Sequence, residues 1–420
     1  MKRRNLSILF VTSHCPHAAS YGAQLRVLNI ARLLGQLGSV DFVIASHGDI
    51  DEADVARTRQ EFGTTDVVRV EPNSLGGLWE RIRFELDPAF LNTHFSAVCD
   101  SDRRAMMQNM GRYDLVWVHT MRTANEFGIY RWPHTVLDVD DIQSKLYATR
   151  TKADSGVIRS VLDYRMAFVW RRRERFLGDR FDSIVVCSEN DRRYLCDNLP
   201  ITVVPNGFSR PSEEPDHAPA KPARLGFIGL FGYGPNQEGA QWFIKEVWPV
   251  VKRDAPDTRL RLVGKGSGAG FSHMGPDIDG LGYVEDPSEE ISSWSAMIVP
   301  IRIGGGTRIK IAEAFSKKCP VVSTSLGAFG YDVVDRQDLM LADTAQDFAS
   351  ACLSLIKDEN LGSILSENGW EAFLRHWTWE SMFPAVSRVV EECLREDQGI
   401  TRQVPIVKSH DKSIQRRSNF

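Results

Sequence analysis

The sequence predicts an α/β protein of two domains, each a doubly wound parallel sheet. Three observations carry this. Short apolar runs alternate with longer amphipathic ones, which is βαβ logic and so a parallel sheet covered by helices. The pattern breaks at PNGFSRPSEEPDHAPAKPAR (205–224), where five prolines and several charges cannot form a core element. It then restarts, and a length of 420 residues suits two cores better than one.

In the first half LSILFVTS (6–13) reads as a buried strand. A helix over 23–38 follows, with Leu25, Leu28, Ala31 and Leu34 near helical spacing. VDFVIAS, DLVWVHT, TVLDVDD and SIVVCSE read as further strands. In the second half come ARLGFIGL, a helix around 240–252, RLRLVGKG, AMIVPIR, a helix after the glycines that follow, PVVSTS, and a helix near 345–357. The expected division is 1–204, an acceptor-side domain; 205–224, a hinge linker; 225–375, the second domain; 376–398, a helical segment packing back on the first domain; and 399–420, a basic tail prone to fraying. Two such sheets facing each other leave a cleft at the C-terminal ends of their strands, where ligands bind.

Composition excludes some functions. Net charge is −4, which argues against nucleic acid as a partner. Seven scattered cysteines without C-x-x-C or metal-type spacing fit reduced thiols. The N-terminal apolar run, Leu6 to Val11, is too short for a signal peptide, and no stretch is long enough for a membrane helix. A soluble cytoplasmic protein is expected, with peripheral contact at the inner membrane face left open. The basic run WRRRERF (170–176) reads as a solvated helix face, or more sharply as a site of attraction to anionic lipid.

The chemistry concentrates in PIRIGGGTRIKIAEAF (300–315). Gly304, Gly305 and Gly306 form a bare loop after a strand, and Thr307 is placed to cap the next helix. Backbone N–H groups, the helix N-terminus, Arg308 and Lys310 together make a diphosphate or carboxylate site. The bland alternative is a solvated Lys310–Glu313–Lys317 ladder worth a few tenths of a kcal/mol. The ATP-binding P-loop is absent, and LVGKGSGAG (262–270) has the wrong spacing for a dinucleotide fingerprint. A nicotinamide oxidoreductase is thereby disfavoured. Asp138, Asp140 and Asp141 in VLDVDDIQS could in principle ligate magnesium. Trp242, Trp248 and Trp294 read as packing rather than sugar platforms.

The glycine stretch, its run-on KKCPVVSTSLGAFG (317–330), VVPNGF (203–208), GYGPNQEGAQWFIKEVWPVV (232–251), DLVWVHT, VVCSEND and HWTWESM (376–382) resemble, as a set, the retaining nucleotide-sugar glycosyltransferases of family 4. The likeness runs from Leu6 to about Val390. It implies the GT-B fold, two Rossmann-like domains facing across a cleft. It implies transfer of a hexosyl-type group from a nucleoside-diphosphate sugar to a glycan or lipid-linked acceptor, in polysaccharide or glycoconjugate biosynthesis, with no metal and no cofactor.

By resemblance Glu313 holds the donor ribose, which suits a carboxylate accepting from two vicinal hydroxyls. The family's first glutamate falls at Gly305, a departure that leaves the sugar contact open. The segment FIGLFGYGPNQEGAQ lacks the Arg and Lys that relatives use for the diphosphate. Arg308 and Lys310, with Arg302, are expected to take over that charge. The resemblance also places His119 against the donor sugar, and Lys265 and Val284 around the base and diphosphate. Gly22 and Asp140 fall on the acceptor side, with Arg26 either serving the acceptor or facing solvent. A sugar-nucleotide epimerase or hydrolase, and a silent nucleotide-sugar-binding scaffold, are the rival readings.

Overall fold

A computed structural model describes residues 5–17, 22–72, 77–89, 91, 96–150, 157–195, 198–304 and 307–396. The basic tail expected over 399–420 lies outside them. The first sheet holds β1 (Leu6–Thr12), β2 (Gly38–Ser46), β3 (Thr65–Pro72), β4 (Ser96–Val98), β5 (Leu115–His119), β6 (Thr135–Val139), β7 (Ser183–Val186) and β8 (Ile201–Val203). Their order is β4-β3-β2-β1-β5-β6-β7-β8, and only the β3–β4 edge pair is antiparallel. The second sheet holds β9 (Arg224–Ile228), β10 (Arg259–Val263), β11 (Ile278–Gly282), β12 (Ala296–Val299), β13 (Val321–Ser323) and β14 (Met340–Leu341). Its order is β11-β10-β9-β12-β13-β14, parallel throughout.

The central strands are the ones the sequence announces. LVWVH, TVLDV and SIVV are buried at every position, as strands covered on both faces must be. β3, β4 and β8 escape that reading because they carry polar residues or are only three residues long. In each sheet the strand order reverses once, between β1 and β5 and between β9 and β12. A crevice opens at such a reversal, because the flanking helices leave in opposite directions.

Four expectations need correction. The first helix spans Gly22–Gly35, and its buried residues include Arg26, Val27, Ile30 and Leu33 beside Ala31 and Leu34. It is wrapped on more than one face because helix Trp379–Glu396 packs against it. That last helix buries Met382, Val386, Val389 and Cys393, a helical stripe, and also touches β6, β7 and β8. The helix expected at 240–252 starts at Gly234 and widens into a π turn over Phe243–Val247 before Trp248–Asp254. Pro249, lacking an N–H, sits just beyond the widened turn.

The Pro-rich segment is not a free linker. Ala218 and Ala220 donate backbone bonds to the Ser292 and Ser293 carbonyls (3.2 and 2.9 Å), and His217 Nε2 lies 2.8 Å from the Trp294 carbonyl. The run WRRRERF is not a solvated face either. Arg171 stacks on Tyr194, its guanidinium carbon 4.6 Å from the ring centroid. Arg172 donates to the Glu85 and Leu86 carbonyls at 3.4 and 3.2 Å. Arg173 is buried against Phe84, and burial brings its pKa down to about 10. Arg172 and Arg173 satisfy carbonyls at the end of helix Leu78–Leu86, and Arg171 donates to the Leu195 carbonyl at 3.3 Å.

The chain crosses between the sheets twice, and the crossings lie side by side. Phe208 N donates to the Trp377 carbonyl at 2.8 Å, and Phe208 bridges Thr378.

Candidate active site

Both reversals of strand order open on the same cleft, and each brings its own chemistry. On the first sheet His119 closes β5, wholly buried, and neither ring nitrogen has a hydrogen-bond partner within the protein. The His14 ring packs edge-on at 5.6 Å. Burial lowers the pKa of both. His14, which also feels His119, is pushed down to about 4. The two imidazoles are therefore neutral at physiological pH, each able to accept and donate one hydrogen bond. His14 was not among the expected site residues. Its signal was its place two residues beyond the first strand.

Arg26 does not face solvent. It is fully buried and grips Asp138, Nε lying 3.0 Å from both carboxylate oxygens and Nη2 2.7 Å from Oδ1. Its remaining nitrogen, Nη1, donates to the Val204 carbonyl (3.0 Å) and Asn206 Oδ1 (2.8 Å). This pins the first crossing to the first sheet. It also divides the acidic trio, since Asp138 is spent on Arg26. Among the described residues no group of three or more His, Cys, Asp or Glu is arranged to hold a metal ion.

Asp140 accepts from Asn206 Nδ2 (3.3 Å) and Cys187 Sγ (3.4 Å). Burial opposes its ionisation, yet Arg26 and those two bonds hold it below the usual carboxylate range. Asp141, half-buried and beside Asp140, is pushed up to about 6 by desolvation and its neighbour's charge. Neighbouring carboxylates with pKa values driven apart are a common arrangement at reactive sites.

Across the cleft, Gly304 has φ +111°, a conformation that favours glycine. Its N–H donates to Thr149 Oγ1 of the first domain at 3.1 Å. A Cβ there would lie 3.0 Å from Arg308 Nη2 and 3.2 Å from Pro235 Cγ. Gly305 and Gly306 lie outside the described residues. Thr307 does not cap the helix. The helix is Ile309–Phe315, Arg308 occupies the cap position, and the buried Thr307 Oγ1 has no protein partner. Tyr331 Oη anchors this turn by donating to the Arg308 carbonyl at 2.9 Å.

Lys310 leaves the helix toward β9. Its ammonium donates to Asn236 Oδ1 at 2.8 Å and sits 4.2 Å from the Phe227 ring centroid. Asn236 is held in turn by donating to the Leu230 carbonyl at 3.0 Å. The asparagine of GYGPNQ thus aims the lysine, a role its sequence position did not reveal. Burial and the nearby Arg308 lower the Lys310 pKa to about 7. One turn on, burial raises Glu313 to about 7 against the pull of Lys310 and Lys317. A solvated ladder would show neither shift.

The other expected donor residues lie further apart. Arg302 is half-exposed and paired off, 3.4 Å from Glu238 Oε1 and over the Trp242 ring, so it does not join Arg308 and Lys310. Lys265 is exposed, its ammonium 5.5 Å from the Tyr283 ring centroid. Val284 is half-buried against the core. Gly22 approaches the second domain, where an added Cβ would lie 3.2 Å from Ile309 Cδ1. Trp248 and Trp294 are buried, and Trp242 packs on Phe348.

Two parallel sheets with their reversals facing one cleft invite comparison. Sucrose-phosphate synthase from Thermosynechococcus elongatus superposes with a TM-score of 0.67 at 14% identity, covering 93% of this chain and 100% of that one. The fold is GT-B. Anabaena Alr3699/HepE, solved with UDP and glucose, matches with a TM-score of 0.63 at 15% identity, over 92% of this chain and 100% of that one. Within the second GT-B domain, residues 222–358 match the family described as glycosyl transferases group 1. A Klebsiella pneumoniae protein described as an uncharacterized 44.6 kDa protein in the cps region is 20% identical over 414 residues, 90% of this chain and 98% of that one.

Proposed function

We propose that this protein is a retaining glycosyltransferase that moves a sugar from a nucleoside-diphosphate sugar to a glycan or lipid-linked acceptor. One observation carries the reading. The second reversal of strand order holds a half-buried lysine, Lys310, its ammonium 2.8 Å from Asn236 Oδ1, whose charge is disfavoured by its surroundings and by Arg308, one helical turn before Glu313. Among the described residues no carboxylate pairs with that ammonium, whose hydrogen bond goes to an amide oxygen. A diphosphate supplies the anionic partner, restores the lysine to its charged form and leaves Glu313 to accept from the ribose. Support also comes from the group 1 match over this domain and from the relative solved with UDP and glucose.

In this reading the bond between the anomeric carbon and the diphosphate oxygen breaks as the acceptor oxygen attacks from the same face. The acceptor proton passes to the departing phosphate oxygen. Arg308, Lys310 and the Gly304 loop stabilise the charge that develops on the leaving group. His119, neutral and unpartnered, contacts the donor sugar. Asp140, held ionised, orients the acceptor hydroxyl near Gly22, and Lys265 and Val284 flank the base. No cofactor is required, and synthesis of a polysaccharide or glycoconjugate in the cytoplasm is the proposed setting.

The test is a thermal-shift screen of nucleoside diphosphates and their sugars on the native chain, Lys310→Ala and Glu313→Ala. One nucleotide should stabilise the native chain and neither variant. Stabilisation retained in both variants would place the nucleotide elsewhere. Donor consumption without any acceptor would turn the reading to a hydrolase or epimerase.

A further inference from the structure

The glycine loop of the second domain leans on a side chain of the first. Gly304, at φ +111°, lies between Pro235 and Arg308. A Cβ on it would stand 3.2 Å from Pro235 Cγ and 3.0 Å from Arg308 Nη2. Pro235 precedes the asparagine that aims Lys310. The place of Gly304 therefore bears on both cations. From across the cleft Thr149 Oγ1 accepts the Gly304 N–H at 3.1 Å. That hydroxyl is not free to turn away. It gives its one proton to the Leu146 carbonyl at 2.9 Å, a turn back on its own helix, which leaves a lone pair for Gly304.

The helix that carries Thr149, Gln143–Arg150, is braced at its start by the first domain. Ser144 N donates to Glu174 Oε1 at 2.9 Å, and the Lys145 ammonium donates to Asp191 Oδ1 at 2.7 Å. Asp191 is itself held, accepting from Ser188 Oγ at 2.7 Å. The Lys145 ammonium also lies 3.4 Å from the ring centroid of Phe329 in the second domain. One short helix thus meets the second domain twice, at Phe329 and at Gly304, while anchored to the first.

We propose that Thr149 is a positioning residue for the donor site, supplied by the opposite domain. By holding the Gly304 N–H it fixes the turn against which Arg308 lies, and so sets the guanidinium for the donor diphosphate. The inference rests on the diphosphate reading of that site. Thr149 touches no reacting atom. Its bond to Gly304 exists only while the two domains are together, so the donor site is complete only in the closed chain. Donor affinity then depends on a first-domain side chain that the donor never meets.

The test is titration calorimetry of the full-length protein with uridine, guanosine, adenosine and thymidine diphosphates. Thr149→Val keeps the shape and loses the acceptor. It should bind the nucleotide preferred by the native chain about five- to tenfold more weakly, the worth of one hydrogen bond. Thr149→Ser, which keeps the hydroxyl, should restore native binding. Arg308→Lys keeps a charge but not the planar fork, and on that background Thr149→Val should cost less, because the effect runs through the guanidinium. Three results would each overturn the proposal and leave the donor reading standing. They are equal or tighter binding by Thr149→Val, a loss that Thr149→Ser does not repair, and a loss of the same size on the Arg308→Lys background. No binding of any diphosphate by the native chain would instead take down the donor reading, and this inference with it.

Discussion

Binding of a nucleoside-diphosphate sugar should move protons, and the direction should reverse near neutrality. Lys310 has a pKa of about 7, lowered by burial and Arg308, and a bound diphosphate should raise it. Glu313 has a pKa of about 7, raised by burial, and accepting from ribose hydroxyls lowers it. At pH 8 about nine-tenths of Lys310 is neutral and must be protonated, while Glu313 is already ionised; net uptake is about 0.8 proton. At pH 7 an uptake and a release of about one half each cancel. At pH 6 Lys310 is already charged and Glu313 gives up its proton, a net release of about 0.8. The assay is calorimetric titration at each pH in buffers of differing ionisation enthalpy, where the slope of observed enthalpy counts protons. The sugar nucleotide is used because its diphosphate has no ionisation in this range. Lys310→Met should erase the uptake at pH 8, and Glu313→Gln the release at pH 6. An unchanged slope across the three pH values, or a reversal that survives both substitutions, would refute the assignment of these residues to the donor.

Arg26→Met should cost about 3–5 kcal/mol in urea unfolding, because it leaves Asp138 charged and buried. Adding Asp138→Leu should recover most of that, and a single-variant loss below about 1 kcal/mol would contradict the network. Gly229→Ala should weaken donor binding about tenfold or more while the protein still folds. Its Cβ would lie 2.7 Å from Asn236 Nδ2 and 3.1 Å from Lys310 Nζ, displacing the pair that aims the ammonium. Nitrogen NMR at pH 6 should show neutral rings for His14 and His119, both lowered by burial. A titration of either near the ordinary value of about 6.5 would contradict that.

What the sequence made legible was local. β1 and β5 to β7 announced themselves as apolar runs, and the glycine stretch pointed to Lys310 and Glu313 because strand, bare loop and charged helix lie within a dozen residues. What it hid was the partner of each charge. Arg26 meets Asp138 across 112 positions, and Lys310 meets Asn236 across 74. No periodicity encodes such pairings. Arg302 looked equivalent to Arg308, yet the helix at 234–242 offers it Glu238 and Trp242 instead. The basic run at 170–176 misled for a related reason. Charge implies solvent only when nothing nearby needs donors, and the carbonyls of 84–86 do.

The return of helix 379–396 to the first domain bears on how the protein is made. Its stripe of Met382, Val386, Val389 and Cys393 covers one face of helix 22–35 and the ends of β6 to β8. Translation at about 5–20 residues per second separates the last strand of that sheet from its covering helix by roughly 10–40 s. Through that interval the ribosome presents a nearly complete lobe with an uncovered apolar flank. The domain synthesised first is thus the one finished last, and its maturation is tied to completion of its neighbour.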